Sequence, residues 1–337
     1  MKAPKTLQDA IIHFADAENC RQYMVAHRWP NGVFCPTCGR KDVSYLATQK
    51  KWQCKSAHAK RQFSAKVGTI FEDSPLGLEK WLPAVWLIVT AKNGISSHEL
   101  ARSLGVTQKT AWFMLHRIRE AMKDDSVVKM GGPEGGPVEV DESYVGGNPK
   151  NRHNRRADIL KATEEKFGMK SRERRRTGRA TEKTPVFGML DRETRQVRAT
   201  TLFKVRRDVL MDAILANVEK GSTIYSDGLK EYRGLDKMEF FHEAVNHVNE
   251  YVRGQVHTQG IENFWSLLKR GLKGTYVAVE PFHLDRYVSE QVFRFNNRAT
   301  KDNPITDEGR FALAISQIAG RRLTYAEVTG KVGETAF

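Results

Sequence analysis

Two aspartates that each close a strand-like run, and one glutamate on a helical run, are the residues here best placed to do chemistry. Asp141 closes Val-Glu-Val-Asp141, Asp227 closes Ile-Tyr-Ser-Asp227 before Gly228, and Glu262 stands in Gly-Ile-Glu262-Asn-Phe-Trp, 34 residues lying between Asp227 and Glu262. Carboxylates from separate elements hold hard cations through oxygen ligands. Two such cations can activate an attacking oxygen and stabilise a leaving oxygen in phosphodiester chemistry. A single acid is ordinarily a solvated charge; strand position, spacing and basic surroundings set these three apart.

The elements that must carry them are readable. Val138 and Val140 alternate with Glu139 and Asp141, which turns Asp141 to the face opposite the valines. Asp227 ends its strand before a glycine, at the strand-to-loop edge where α/β sites gather. Ile261, Phe264, Trp265, Leu268 and Leu272 form an apolar helical stripe, leaving Glu262, Ser266, Lys269 and Lys273 together on the polar face. A carboxylate there can ligate metal while a lysine two turns on touches a phosphate.

A second donor set lies near the N-terminus. Cys35-Pro-Thr-Cys38-Gly39 and Cys54-Lys-Ser-Ala-His58 offer three thiols and an imidazole, the number and type of ligands that tetrahedral structural zinc takes. The second pair is looser, and free thiols beside a surface histidine are the competing reading. Cys20 stands apart and reads as a buried thiol. Between this knuckle and the acids, Ile95–Ile118 reads as two short helices about Gly105, capped by Ser96 or Ser97 and by Thr107. The second helix would expose Gln108, Lys109, Thr110, Phe113 and Arg117, as a major-groove reader does. A plain structural helical hairpin is the alternative.

The 337 residues carry 55 Lys and Arg against 40 Asp and Glu, a net +15 that favours a polyanionic partner. The stretch 148–183 holds 13 basic and 5 acidic residues, a surplus of 13 − 5 = +8. No run approaches ~18 apolar residues and no apolar signal core opens the chain, which points to a cytoplasmic, reduced setting without a membrane. Strands are expected at 138–145, 186–190, 197–203 and 223–225. Helices are expected at 208–219, from Ile261 and from Pro281, with part helix around 158–167. Strands alternating with helices make this an α/β layered domain. The expected divisions are N-terminal helices with a zinc ribbon (1–75), a helix-turn-helix (76–130), a catalytic domain (137–300, with a basic insertion at about 148–184) and a tail (301–337).

Over nearly its whole length the chain resembles DDE transposases of the insertion-sequence 1595 family. The resemblance is carried by Cys35-Pro-Thr-Cys38-Gly, Trp52-Gln-Cys54, Arg61-Gln-Phe-Ser, Val67-Gly-Thr-Ile-Phe, Val140-Asp-Glu-Ser-Tyr-Val-Gly-Gly147, Tyr225-Ser-Asp-Gly228 and His257-Thr-Gln-Gly-Ile-Glu-Asn-Phe-Trp-Ser-Leu-Leu-Lys-Arg270. It implies a ribonuclease H-like catalytic fold with a mixed sheet flanked by helices, and Asp141, Asp227 and Glu262 as ligands of two Mg²⁺ (or Mn²⁺) ions. It implies cutting at the element's terminal inverted repeats and joining of the freed 3′-OH to target DNA. A homo-oligomer on DNA and a bacterial, nucleoid-associated setting follow from the same resemblance. Lys269 matches the basic residue that such enzymes place near DNA, with Arg270 and Lys273 beside it. His257 is a candidate for the scissile phosphate, with a packing role the alternative. Asn263 adjoins Glu262, and some members carry asparagine as the third ligand. His58 departs from the more usual cysteine pair. Two rival readings are a non-catalytic zinc and helix-turn-helix regulator, and a ribonuclease H-like nuclease.

Overall fold

The computed structural model describes residues 4–146, 183–245, 256–301 and 303–331. The basic tract, with its expected part helix, falls almost wholly outside them. Two helices open the chain, α1 (Leu7–Phe14) and α2 (Ala17–Arg28). Thr6 and Asp9 form a reciprocal capping box on α1, and Asp16 accepts from the Glu18 and Asn19 N–H groups to cap α2. A three-stranded antiparallel ribbon follows: β1 (Val43–Leu46), β2 (Lys51–Cys54) and β3 (Gln62–Phe63). Then come α3 (Leu78–Thr90), α4 (Ser97–Leu104) and α5 (Gln108–Ala121).

The larger sheet is built from β4 (Val138–Val145), β5 (Thr184–Asp191), β6 (Val197–Thr201), β7 (Thr223–Asp227) and β8 (Phe241–Val245), with α6 (Arg207–Asn217) between β6 and β7. Its order is β6-β5-β4-β7-β8. The first three strands pair antiparallel, and β7 and β8 continue the sheet in parallel. Three antiparallel strands extended by two parallel ones, flanked by helices, give the ribonuclease H-like arrangement expected. The remaining helices are α7 (Gln259–Gly271), α8 (Leu284–Asn296), α9 (Asp307–Ser316) and α10 (Tyr325–Thr329).

Two compact units result. One comprises Met1–Asp125, Arg270–Ala278 and Ser289–Phe337; the other Ser126–Lys269 and Val279–Val288. In the first, α3 is apolar almost all round and buries Trp81, Leu82, Val85, Trp86, Ile88 and Val89. Phe311 of α9 packs on Phe14, Tyr23 and Trp86, with ring centroids 5.5, 5.5 and 5.1 Å away. The segments read from sequence as ribbon, helix-turn-helix and tail therefore contribute to one core. Glu290 of α8 is fully buried there and is paired with Arg119 (2.6 Å), Arg294 and the Tyr276 hydroxyl.

In the second unit, α6 seals one face of the sheet. Leu210, Met211 and Ile214 pack with Val138, Val140, Phe187, Met189 and Ile224. This is the valine face of β4, as the alternation predicts. The opposite face, bearing Glu139 and Asp141, receives α7. Gly188 sits opposite Asp141 in the β4–β5 register, and a Cβ there would lie 2.7 Å from the Trp265 ring. The missing side chain lets the indole lie against the strand.

Candidate active site

Parallel pairing of Val138 with Ile224 and of Val140 with Ser226 brings Asp141 and Asp227 to the next step of neighbouring strands. Their carboxylates thus meet because of register, at the carboxyl end of β7. Glu142 joins them: one carboxylate oxygen from each of Asp141, Glu142 and Asp227 lies within 4.8 Å of the others. Burial and the charge of Asp227 push the Asp141 carboxyl up to about 7, against the opposing pull of the Glu142 N–H and the Trp265 indole. Burial likewise raises Glu142 to about 8, although the Tyr232 hydroxyl donates to its Oε1 at 2.6 Å. Crowded oxygen donors whose own charge is disfavoured fit a hard divalent cation, which would relieve the repulsion.

Glu262 lies on the exposed face of α7, one turn after its cap, and accepts from the Thr258 hydroxyl at 3.1 Å. It is near enough for its charge to act on Asp141 but is not one of the three clustered acids. Ile261, Phe264, Trp265 and Leu268 are buried and Ser266, Lys269, Arg270 and Lys273 exposed, as the stripe predicts. Trp265 donates its indole N–H to Asp141 Oδ2 at 2.9 Å. His257 is part-buried against the Arg192 guanidinium, Nδ1 to Nη2 2.6 Å.

Sequence reasoning missed Glu142, Glu139 and Arg192. Glu142 adjoins Asp141 in the motif, but strict alternation assigns it to the valine face. Arg192 sits in the Asp191-Arg-Glu-Thr turn, which reads as a polar connection.

At the ribbon, Cys35, Cys38, Cys54 and His58 bring one ligand atom each to within 4.8 Å of the others. Cys35 Sγ faces His58 Nε2 at 3.5 Å and Cys38 Sγ faces Cys54 Sγ at 3.6 Å. Burial acts to raise the Cys54 thiol, but the Ser56 N–H and His58 outweigh it and bring it to about 6. Three sulfurs and one imidazole nitrogen converging on one point fit tetrahedral zinc. Cys20 is buried and donates to the Phe14 carbonyl, apart from this set.

In the helix-turn-helix, Ser96 accepts from Glu99 N–H, Thr107 accepts from Thr110 N–H, and Gly105 turns the chain at φ 63°. Gln108 and Lys109 are exposed and Thr110 is half-buried. Arg117, expected on the exposed reading face, is buried. Its guanidinium lies 5.5 Å from the Trp81 ring centroid and 5.4 Å from that of Phe113, and it donates to the Glu72 carbonyl. From Met114 to Ile118 every residue of α5 is buried, so the exposed face ends after the first turns. Among the described residues, no helix is long and apolar enough to cross a membrane.

Residues 134–296 match the model of an ISXO2-like transposase domain, and residues 15–59 that of a transposase zinc-ribbon domain. An uncharacterized protein in transposable element ISH50 of Halobacterium salinarum is 31% identical over 268 residues, 77% of this chain and 84% of its own length. An uncharacterized transposase-like protein of Haemophilus influenzae is 32% identical over 97 residues, 29% of this chain and 78% of its own. A chain from the simian T-cell lymphotropic virus intasome complexed with PP2A regulatory subunit B56 gamma aligns over 59% of this chain and 63% of that one. At 13% identity and a TM-score of 0.28 that alignment carries no argument. With the zinc-ligand cluster and the acid-bearing sheet in these matched segments, the chain belongs to the insertion-sequence 1595 family of DDE transposases.

Proposed function

We propose that this transposase cuts DNA at the ends of its element and joins the freed 3′-OH to target DNA, with Asp141, Asp227 and Glu262 as the catalytic acids. The observation that carries the reading is the parallel β4–β7 register, which makes Asp141 and Asp227 neighbours beside the helix bearing Glu262. Bound divalent cations, Mg²⁺ or Mn²⁺, would supply Lewis acidity that activates an attacking oxygen and offsets charge on the departing one. Asp141 and Asp227 would hold such ions from the sheet, and Glu262 would do so from the helix. Trp265 fixes the orientation of the Asp141 carboxylate through Oδ2. Glu142, held by Tyr232, adds a fourth carboxyl at the rim.

DNA is engaged at separate places. Lys269, Arg270 and Lys273 offer exposed charge to the phosphate backbone, and Gln108, Lys109 and Thr110 at the start of α5 offer side chains to base edges. Arg117 is withdrawn from that set by its burial. The zinc is structural, because four protein ligands leave no position for water. Two element ends must be brought together, which a homo-oligomer on DNA would do.

The test uses duplexes carrying the repeats that flank the chain's own gene. Asp227→Ala should abolish divalent-dependent cutting and joining while DNA binding survives. Unchanged cutting in that variant refutes the assignment. Cutting without joined products in the wild type indicates a nuclease instead.

A further inference from the structure

Glu139 is an acid the reaction does not use directly, yet its side chain is only 1% exposed. It lies on β4 two residues before Asp141 and on the same face. Its two oxygens are both engaged. Oε1 accepts from Arg192 Nε at 2.6 Å, and Oε2 accepts the backbone N–H of Ile261 at 2.8 Å. Arg192 also donates from Nη2 to the His257 carbonyl at 2.7 Å, and its guanidinium lies 4.8 Å from the Tyr225 ring centroid. A buried carboxylate with an arginine partner on one oxygen and a helix N-terminal N–H on the other is held by charge and by the helix dipole alike.

The geometry of the helix entry depends on this pair. Arg192 grips His257, the residue before Thr258, and Glu139 grips Ile261, the residue before Glu262. Between them, Gly260 approaches so closely that a Cβ there would lie 2.8 Å from Glu139 Oε2 and 3.1 Å from Oε1. Any side chain at position 260 would therefore push the carboxylate away. The chemical path from Asp141 to Glu262 is short: two residues along β4, one hydrogen bond, one residue along α7. The strand that carries one acid thus also fixes the first turn of the helix that carries another.

We propose that Glu139 and Arg192 are positioning residues that set the reach of Glu262 toward the Asp141 and Asp227 pair. Neither touches metal or DNA. The inference rests on the reading of Glu262 as a metal ligand, and it explains why a buried ion pair stands beside the site. Outer-shell partners of metal ligands commonly change metal affinity by about 10–100-fold when removed.

The experiment measures Mn²⁺ binding to the full chain by calorimetry, without DNA, in Glu139→Gln, Glu262→Gln and the double variant. Glu139→Gln should weaken Mn²⁺ binding by about tenfold or more. In the Glu262→Gln background the same substitution should change it no further, because the ligand it positions is gone. Additive losses would show a general loosening of the site and overturn the proposal, as would an unchanged Mn²⁺ affinity in a folded Glu139→Gln chain. If Glu262→Gln alone leaves Mn²⁺ binding intact, the metal-ligand reading of Glu262 fails first and takes the proposal with it. Gly260→Ala keeps every polar group and displaces only the carboxylate. It carries the same pair of expectations should Glu139→Gln not fold.

Discussion

Replacing Asp141 by Asn should make the metal-free protein more stable at pH 8, and by a clearly smaller margin at pH 5. The carboxyl of Asp141 is raised from 3.8 to about 7 by burial and by the charge of Asp227. Between those values the native state holds a proton that the unfolded chain has released. Stability therefore falls as pH rises through that window and levels off above about 7. A rise of roughly three pH units corresponds to ~4 kcal/mol at 1.36 kcal/mol each. Some of this is shared with Glu142 and Asp227, so about 2–4 kcal/mol is the expected gain for Asn at pH 8. Asn keeps an oxygen for the Trp265 indole, so the substitution removes charge and little else.

That gain corresponds to roughly 5–15 °C in the melting temperature of a domain this size. Thermal unfolding at pH 5 and pH 8, with zinc loaded and no Mg²⁺ or Mn²⁺ added, reads it directly. Added Mn²⁺ should then raise the wild-type melting temperature at pH 8 by ligand linkage and leave Asp141→Asn nearly unmoved. An Asn variant that melts with the wild type at pH 8 would refute the claim that crowded, buried acids strain this site. So would a gain of equal size at pH 5.

Further outcomes follow from other parts of the molecule. The purified chain should carry one zinc, measured by metal analysis, and Cys54→Ser should lose it together with protection of the β1–β3 ribbon from proteolysis. Lys269→Ala, at an exposed lysine, should lower the salt dependence of duplex DNA binding by about one unit of slope with its melting temperature unchanged. Arg117→Ala should instead lower the melting temperature, by about 1–3 kcal/mol of stability, through the lost carbonyl bond and ring contacts. Glu290→Gln should cost about 3–5 kcal/mol, because it leaves Arg119 and Arg294 buried without their counter-charge. Burial acts to raise Glu290, but Arg294 and Arg119 outweigh it and hold it at about 2. Its contribution is thus present above the usual carboxylate range and lost as pH falls from about 4.5 toward 2, which acid titration of wild type and variant will compare.

Local patterns made much of this legible. Strand alternation gave the face of Asp141, the apolar stripe gave the orientation of α7, and the Cys and His spacing gave the ribbon's ligand set. The caps at Ser96 and Thr107 were equally readable, since each needs only three residues of context. What depended on distant partners was not. Glu139 meets Arg192 across 53 positions, and neither carries a signature in its own neighbourhood. Glu142 joins Asp141 and Asp227 although alternation turns it the other way. The strand β8, Phe-His-Glu-Ala-Val, lacks a clean two-residue period and exists because β7 offers it a parallel edge. Arg117 defeated the helical pattern because its neighbours bury the whole circumference of α5.

The packing of Phe311 on Phe14 and Trp86 has a consequence for how the protein comes into being. The ring that closes the core of residues 1–125 comes in the chain well after the acid-bearing sheet. During synthesis the whole catalytic sheet leaves the ribosome while that core is still missing Phe311, Ala314 and Ile315. Helices α4 and α5 therefore reach their finished packing only once Phe311, Ala314 and Ile315 have been made. A chain ending after α7 would keep Asp141, Asp227 and Glu262 and still leave the core that holds α4 and α5 unfinished.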